Sequence, residues 1–329
     1  MSFLGYNQRL RIGFISNTHS GRNRKALGKI RRLLAATPAV LHREVRTPEQ
    51  IAEALEEFSR AGVDVVALNG GDGTIQSAVT TLLSRKLFQP LPLLALLPGG
   101  TTNMTAYDIG GGRRRLLPAV RKLLRPLADD KSDWQLVQRP LLRVRAGDGE
   151  APRYGFFFGA GAIIQGMEYF QARVHTKGLK NELGPGLTLL RFIYGVLRGQ
   201  SDFTGSAPVV VGLNGEEPVH EYKSLILFVS TLERFFLGMR PYWGKKGDPL
   251  HFTLIEQGPR RLLWALPAIL RGRSNRSVTE SAGYHSHDVS AVKLLMDGRF
   301  SLDGELSEAR IDRGPVVLES AGEMRFIRL

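Results

Sequence analysis

Residues 63–83 read VDVVALNGGDGTIQSAVTTLL, and this stretch decides the fold class. Its first six residues are nearly all apolar, which is typical of a strand covered on both faces of a sheet. A glycine-rich turn follows at residues 69–74. Apolar residues then recur at helical spacing, namely Ile75, Ala78, Val79, Leu82 and Leu83. A buried strand, a glycine-rich turn and an amphipathic helix in this order predict one unit of a parallel α/β sheet.

The same pattern recurs on both sides of this stretch. The apolar run at residues 10–16 leads into a polar loop at residues 17–21 and then a helical pattern. The apolar run at residues 93–97 ends in the glycine-rich sequence of residues 98–103. Residues 47–50, TPEQ, have the form of a capping box that opens another helix. The first third of the chain therefore predicts a parallel sheet with helices on both faces.

The pattern changes after about residue 135, where short alternating strands replace the strand and helix units. Within this part, only residues 166–199 and 260–271 have a helical pattern. These features predict a second, mostly antiparallel domain, built as a sandwich or a barrel. The strands are predicted at residues 141–146, 154–158, 209–213, 225–230, 251–255 and 292–296.

The composition narrows the class of protein. The chain has 329 residues, with 45 Lys and Arg against 31 Asp and Glu, which gives a formal net charge of +14. The absence of cysteine excludes a disulfide scaffold, a thiolate metal site and a cysteine nucleophile. The apolar runs are too short to span a bilayer, and we expect no signal peptide. The positive charge predicts an anionic partner: nucleic acid, a phosphate-rich ligand or an anionic membrane.

Three glycine-rich loops follow predicted strands, at residues 17–21, 70–74 and 99–103. Ligands of α/β sheets bind outside the carboxyl ends of the strands, and glycines let the backbone approach a phosphate. The loops therefore predict a pocket for the phosphates of a nucleotide. Asp72 would repel phosphate unless a cation bridges them, which suggests Mg²⁺. Alternatively, Asp72 caps the helix that begins near Thr74.

Four motifs carry a resemblance to a known family: NTHSG at residues 17–21, NGGDGT at residues 69–74, GTTN at residues 100–103 and LDGE at residues 302–305. In this order they resemble the diacylglycerol kinase and sphingosine kinase catalytic-domain family, and the layout is that of its bacterial soluble lipid kinases. GGDGT by itself is less specific, because NAD kinases share it.

The resemblance implies a fold of the α/β plus β class. It consists of an N-terminal Rossmann-like nucleotide-binding α/β domain and a C-terminal β-sandwich-like domain, with the active site in the cleft between the domains. We predict an ATP-binding domain at residues 1–136 and a lipid-substrate domain at residues 137–315. The resemblance also implies that residues 316–329 return to the first domain.

The activity implied by the resemblance is that of an ATP- and Mg²⁺-dependent lipid kinase. It would transfer the γ-phosphate to a hydroxyl of a membrane lipid, either diacylglycerol-like or sphingoid-like. Glu305 would be the general base, and Asp72 a catalytic residue that also binds the metal. Thr47 lies where the family has a threonine near the nucleotide, although the capping box explains it equally well. The residues predicted to line the ATP site are Asn17, Ser20, Gly21, Thr47, Gly70, Gly71, Asp72, Gly73, Thr74, Thr101 and Asn103.

The chain departs from the family pattern at two places. Family members have an aspartate after the asparagine of the third loop, whereas this chain has Met104, so a carboxylate is missing unless Asp108 supplies it. The family's structural Mg²⁺ loop ends in aspartate, whereas this chain has His251 at the comparable position. Asp248 is the remaining predicted metal ligand of that loop.

Two further segments have two interpretations each. His285 and His287 lie on one face of an extended segment and either bind a metal, with no third ligand identifiable, or form an exposed polar turn. Residues 259–276 are basic at both ends around an apolar centre with Trp264. This segment either lies in a membrane interface or packs as an ordinary amphipathic helix.

Two alternative functions stay open at this stage. One is a NAD kinase-like enzyme, and the other is a non-catalytic protein that binds anionic lipid or nucleic acid. The presence of both Asp72 and Glu305 favours an enzyme. We expect a cytoplasmic protein peripherally associated with the inner face of the membrane, with a lipid substrate at an anionic surface and no dedicated nucleic-acid partner. The acceptor lipid and the oligomeric state stay open.

Overall fold

The computed structural model describes residues 10–110, 115–129, 134–165, 208–235, 238–244 and 247–329. The chain forms two compact units. Unit 1 consists of Met1–Arg139 and Glu323–Leu329, and unit 2 of Pro140–Gly322. The predicted helix at residues 166–199 lies outside the described residues. The mixed α/β class predicted from the sequence is confirmed by the described elements.

The described strands and helices are numbered in chain order. The helices are α1 (Asn23–Ala35), α2 (Pro48–Arg60), α3 (Asp72–Arg85), α4 (Met104–Ile109), α5 (Leu116–Asp129) and α6 (Leu262–Ile269). The strands are β1 (Ile12–Asn17), β2 (Val40–Val45), β3 (Val65–Gly70), β4 (Leu93–Pro98), β5 (Gln135–Arg145), β6 (Arg153–Gly155), β7 (Phe157–Gly161), β8 (Val209–Leu213), β9 (His220–Tyr222), β10 (Ser224–Ser230), β11 (Leu250–Glu256), β12 (Tyr284–Val289), β13 (Ala291–Met296), β14 (Gly298–Leu302), β15 (Glu305–Ala309) and β16 (Val316–Arg328).

Unit 1 is built on a parallel sheet with the order β2-β1-β3-β4. Phe326 and Ile327 of β16 pair in parallel with β4 and extend this sheet. The central strands β1 and β3 are apolar and buried because helices cover them, as expected for parallel strands. Helices α1 and α5 share a core cluster with the sheet, and this cluster includes Ile12, Phe14, Ile30, Leu34 and Leu123.

Helix α2 packs against the sheet through Phe58. The ring of Phe58 lies so close to Gly13 of β1 that a Cβ atom there would come within 2.3 Å of it. Gly13 therefore allows the helix to approach the strand. The start of α2 is the predicted capping box: Thr47 accepts a hydrogen bond from the Gln50 amide at 3.4 Å, and Gln50 accepts one from the Arg46 amide at 2.7 Å.

Unit 2 contains two groups of mostly antiparallel strands. One sheet has the order β12-β11-β10-β7-β14-β15. The other group has β13 between β8 and residues 316–319 of β16, with β9 beside β8. Strands of both groups contribute to one buried cluster, which includes Phe158, Phe252, Val292 and Leu318. The prediction of a mostly antiparallel second part is therefore confirmed for the described residues.

The sequence Asp297-Gly298 predicts a hairpin turn that would pair the strands on either side of it, β13 and β14. These two strands do not pair with each other. Instead, β14 pairs with β15 and β7, so the hairpin prediction at this position is wrong.

Among the described residues, no helix combines the length and the apolar character needed to cross a bilayer.

Candidate active site

The three glycine-rich loops of unit 1 meet at the carboxyl ends of β1, β3 and β4, which are neighbours in the sheet. The Arg22 amide donates to the Gly99 carbonyl at 3.0 Å, and the Gly100 amide donates to the Gly70 carbonyl at 2.9 Å. A Cβ atom on Gly100 would lie 2.5 Å from the Cα atom of Gly71. The loops therefore touch through their backbones, and only glycine permits this approach.

Asparagine side chains connect the loops. Asn17 donates through Nδ2 to the Thr74 hydroxyl at 2.8 Å. Asn23 is buried, and its Nδ2 donates to the carbonyls of Asn17 at 2.7 Å and Asn69 at 3.1 Å. Asn23 was not among the residues predicted for the site. Its signal was weak, because it lies in a basic helical segment, but it ties the ends of β1 and β3 together.

Asn103 shapes the third loop. Its backbone has a φ of 51°, and its side chain both accepts from the Gly100 amide and donates to the Gly100 carbonyl, each at 2.7 Å. Asn103 is also buried. Since both ends of its amide are used inside the loop, Asn103 acts through the shape of the loop. A direct side-chain contact between Asn103 and a nucleotide stays a prediction.

Asp72 uses its carboxylate to bind the start of helix α4. Oδ1 accepts from the Thr105 amide at 2.9 Å, and Oδ2 accepts from the Met104 amide at 3.2 Å. Burial raises the pKa of Asp72, and the amides of Thr105 and Met104 partly oppose this rise. The cap proposed as an alternative to metal binding therefore exists, but on α4 rather than on the helix that contains Asp72.

This contact also gives Met104 a role. Its backbone amide holds Asp72, while its side chain occupies the place where the resembled family has a carboxylate. Asp108 lies one turn further along α4 and is partly buried. Its part in metal binding stays a prediction.

The remaining residues predicted for the ATP site fall into two groups. Gly70 and Thr74 are buried, and a Cβ atom on Gly70 would collide with the Thr74 side chain at 2.5 Å. Ser20, Gly71 and Gly73 are partly exposed, while Gly21 and Thr101 are exposed. Only the second group can present backbone or side chain to a ligand without rearrangement. Thr47 is exposed and holds the capping box of α2.

The Leu302-Asp303-Gly304-Glu305 motif forms the turn between β14 and β15, where Leu302 pairs with Glu305. Asp303 and Gly304 have φ values of 50° and 97°, as in the tight hairpin turn that Asp-Gly favours. The Asp303 carboxylate is buried and accepts from the amides of Phe156 and Phe157, each at 2.9 Å. This anchors the turn on unit 2 and leaves Glu305 exposed at the first position of β15.

Arg153 lies beside Glu305 and was not predicted. Its guanidinium donates to the Ser307 hydroxyl and stacks 5.5 Å from the centre of the Phe300 ring. Burial lowers the pKa of Arg153, while the charges of Glu150 and Glu305 raise it. The predicted general base therefore has a cation next to it. A single arginine in a short strand gives no sequence signal for such a role.

The predicted structural metal loop has no ligand set around Asp248 within the described residues. Asp248 is exposed, and the potential metal-binding group that the described residues form does not include it. His251 Nδ1 lies 2.7 Å from Asp288 Oδ1, and its ring stacks on Tyr242 at 4.3 Å. His251 therefore has protein partners of its own, and metal binding by Asp248 stays a prediction.

Comparison with known proteins finds a family match in the first part of the chain. Residues 11–130 match the family model of the diacylglycerol kinase catalytic domain. A stretch of 61 residues is 46% identical to the "Probable lipid kinase YegS-like" protein of Stenotrophomonas maltophilia (strain K279a). This stretch covers 18% of this chain and 18% of that protein. Residues 11–130 are therefore similar to a kinase catalytic domain.

Solved structures agree in fold over nearly the whole chain. A crystal structure of a diacylglycerol kinase from Bacillus anthracis str. Sterne superposes with a TM-score of 0.61 at 16% identity, covering 98% of both chains. Another structure from this organism gives a TM-score of 0.64 at 17% identity, again covering 98% of both chains. The resemblance seen in the motifs is confirmed for residues 11–130, which match the diacylglycerol kinase catalytic domain.

Proposed function

We propose that the protein is an ATP- and Mg²⁺-dependent lipid kinase that phosphorylates a hydroxyl of a diacylglycerol-like or sphingoid-like lipid. The observation that carries this proposal is the meeting of three glycine-rich loops at neighbouring strand ends of the kinase domain. The finer fold belongs to the same proposal: unit 1 is a Rossmann-like nucleotide-binding domain, and unit 2 is a β-sandwich-like domain that binds the lipid.

The loops suit the phosphates of ATP. The amides of Thr74 and Ile75 donate to the Gly71 carbonyl, whereas the Gly73 amide in the first turn of α3 has no acceptor within its own helix and lies at the partly exposed edge of the loop. Such amides, together with the positive end of the helix dipole, bind anions. Gly21 and Thr101 are exposed on the two adjoining loops, where a Cβ atom on Gly21 would lie 3.2 Å from the Thr101 hydroxyl.

Asp72 fits a Mg²⁺ site because each of its carboxylate oxygens accepts one amide and keeps a further lone pair. The desolvation that raises its pKa also favours a neighbouring cation. When bound, Mg²⁺ would neutralise charge on the phosphate oxygens. With Met104 at the neighbouring position, Asp72 is the carboxylate on which this role rests.

Glu305 is proposed as the general base. It accepts the proton of the lipid hydroxyl while that oxygen forms a bond to the γ-phosphorus, and the bond from this phosphorus to the ADP oxygen breaks. Its exposure allows it to contact a substrate.

The test is transfer of labelled γ-phosphate from ATP to a lipid extract, followed by mass identification of the product. Glu305→Gln should lower the turnover rate about 100-fold to 10,000-fold, the range for loss of a general base. Glu308→Gln is the matched control, because Glu308 is an exposed residue of the same strand. A wild-type protein that labels no lipid in any detergent or vesicle condition would refute the proposal.

Two alternatives become outcomes of parallel assays. Formation of NADP from NAD without any labelled lipid would favour the NAD kinase-like alternative, since both families share GGDGT. If Mg-ATP leaves the melting temperature unchanged, the protein is a non-catalytic binder instead. The lipid kinase proposal requires a shift that depends on both Mg²⁺ and ATP.

We further propose that unit 2 contacts an anionic membrane through helix α6. Ala265 and Ile269 of this helix are buried, whereas Leu263 and Trp264 are 59% and 77% exposed. Such a pair of large apolar side chains, with arginines around them, suits the boundary between lipid headgroups and acyl chains. The surrounding exposed arginines are Arg260, Arg261, Arg271, Arg273 and Arg276.

Sedimentation with vesicles tests this surface. The wild type should bind vesicles rich in phosphatidylglycerol at low salt and lose most of this binding at high salt, since salt screens exposed charges. Trp264→Ala should weaken binding about 10-fold. Leu136→Ala, another exposed apolar residue, should leave it unchanged. Equal binding of Trp264→Ala and the wild type would exclude α6 as the contact.

A further inference from the structure

Unit 2 contains a cluster of one carboxylate and two imidazoles that the proposed kinase reaction does not use. Glu280, His285 and His287 each offer a ligand atom, and these atoms all lie within 4.8 Å of one another. The sequence pointed to the two histidines but to no third ligand. Glu280 completes the group, because a short 3-10 turn, Glu280–Ala282, brings it back beside the strand that carries the histidines.

Local structure accounts for this arrangement. His285 and His287 are two residues apart in β12, so both side chains lie on the same face of the sheet. Gly283 links the 3-10 turn to the strand with a φ of 87°, a backbone angle that suits glycine. The Oε1 atom of Glu280 lies 3.5 Å from Nε2 of His287, so the contact is loose enough for an ion to replace it.

The surroundings of the cluster add two features of metal sites. His285 Nε2 lies 2.7 Å from Glu256 Oε1, and a carboxylate partner of this kind orients a metal-binding imidazole. Tyr222 packs against the His285 ring at 4.9 Å. Glu256 and Glu280 each lie beside one of the two histidines. Two carboxylates thus bring negative charge to a place where two imidazoles offer lone pairs.

We propose that Glu280, His285 and His287 bind a divalent transition-metal ion of the zinc class, with Glu256 as the hydrogen-bond partner of His285. Ions of this class bind well to imidazole nitrogens together with a carboxylate, whereas Mg²⁺ and Ca²⁺ prefer ligand sets made of oxygen atoms alone. A fourth position is available to water. The ion joins the 3-10 turn to β12 and so stabilises this edge of unit 2. The site is independent of the proposed kinase reaction.

The test is titration of untagged, chelator-treated protein with Co²⁺ and Zn²⁺ in the absence of nucleotide. We expect one equivalent of Zn²⁺ to bind and to raise the melting temperature. Bound Co²⁺ should show visible absorption without thiolate charge-transfer bands, because the chain has no cysteine. His287→Asn and Glu280→Gln should each weaken binding by at least about 10-fold, and Glu256→Gln by a similar or smaller factor.

Matched controls are available in the same unit. His220→Asn and Glu308→Gln change exposed residues that do not belong to the cluster, and both should bind Zn²⁺ as the wild type does. His287 and Glu280 are themselves well exposed, so their variants should fold. Failure of the wild type to bind one equivalent would overturn the proposal, and so would unchanged binding in both ligand variants.

Discussion

Each unit has a turn in which an aspartate lies beside glycine, at residues 69–74 in unit 1 and at residues 302–305 in unit 2. In each turn the aspartate binds the backbone of another segment. Asp72 accepts the amides of Met104 and Thr105, whereas Asp303 accepts those of Phe156 and Phe157. Both carboxylates therefore connect segments that are far apart in the sequence. The two motifs, taken as sequences, do not show whether an aspartate has this structural role or a catalytic or metal-binding one.

The two turns differ in whether one residue or two residues carry the structural role and the proposed chemical role. In unit 2, Asp303 is only 4% exposed and serves the fold, while the neighbouring Glu305 is exposed and free for the proposed proton transfer. In unit 1, Asp72 is partly exposed and takes both the cap of α4 and the proposed metal contact. Structure and chemistry can therefore be separated by mutation in the second turn but are combined in one residue of the first.

The largest expected effect is on stability at Asp303. Asp303→Ala removes the carboxylate that accepts one buried and one partly buried amide and places alanine at a positive φ, so the free energy of unfolding should fall by about 4 kcal/mol. Urea unfolding measures this. Asp303→Asn keeps one acceptor oxygen and tolerates the backbone angle, and it should recover about half of the loss. A fall in the free energy of unfolding of less than about 1 kcal/mol for Asp303→Ala would contradict the structural role of the Asp303 carboxylate.

A smaller loss of stability is expected at Asp72. Asp72→Ala removes the acceptor of the Met104 and Thr105 amides, but because Asp72 is partly exposed, water can take the place of its carboxylate, so the loss should be about 2 kcal/mol. Asp72→Asn should keep part of the cap and yet weaken the Mg²⁺-dependent binding of ATP at least about 10-fold, because the charge is lost.

Comparing these two variants by thermal shift with and without Mg-ATP separates the cap from the metal contact. Glu305→Gln is the reference, since it should change stability by less than about 0.5 kcal/mol. Equal Mg-ATP affinity in Asp72→Asn and the wild type would show that Asp72 serves the fold alone, as Asp303 does.

The smallest effect concerns pH. Burial raises the pKa of Asp72 in the folded state, so the folded protein holds a proton that the unfolded chain has already released. In chelator-containing buffer, the contribution of Asp72 to the free energy of unfolding is fully present below the ordinary pKa of aspartate. This contribution is lost as the pH rises through the raised pKa of the folded state. The stability of the wild type minus that of Asp72→Asn should therefore decrease across this window. An increase with pH in urea titrations would reverse the assigned sign.

Much of unit 1 was predictable because its signals are local. The strand, turn and helix of residues 63–83 follow from side-chain periodicity, and the capping box at Thr47 is present where its four residues predict it. Strand β2 was missed. It carries His42, Arg43 and Glu44 and pairs only with β1 among the described strands, so it lacks the apolar run of a central strand.

The partners of polar groups were not predictable from periodicity. Asp72 reaches an amide 33 positions away, and Asp303 reaches one 147 positions away. The same limit applies to Arg153 beside Glu305 and to Glu280 beside His287. Each pair forms because strand pairing and turns bring distant residues together, and no local pattern encodes that proximity.

The sequence by itself determined the α/β alternation of unit 1 and the order of the glycine-rich motifs that resemble those of lipid kinases. These depend on side-chain periodicity and on glycines at positions where the backbone must turn or approach another segment. The tertiary structure decided which atoms of those motifs are left for a ligand. The answer depends on which hydrogen bonds the folded chain has already formed. The side chains of Asn17, Asn103 and Asp303 bind other groups of the protein, whereas Glu305 is exposed.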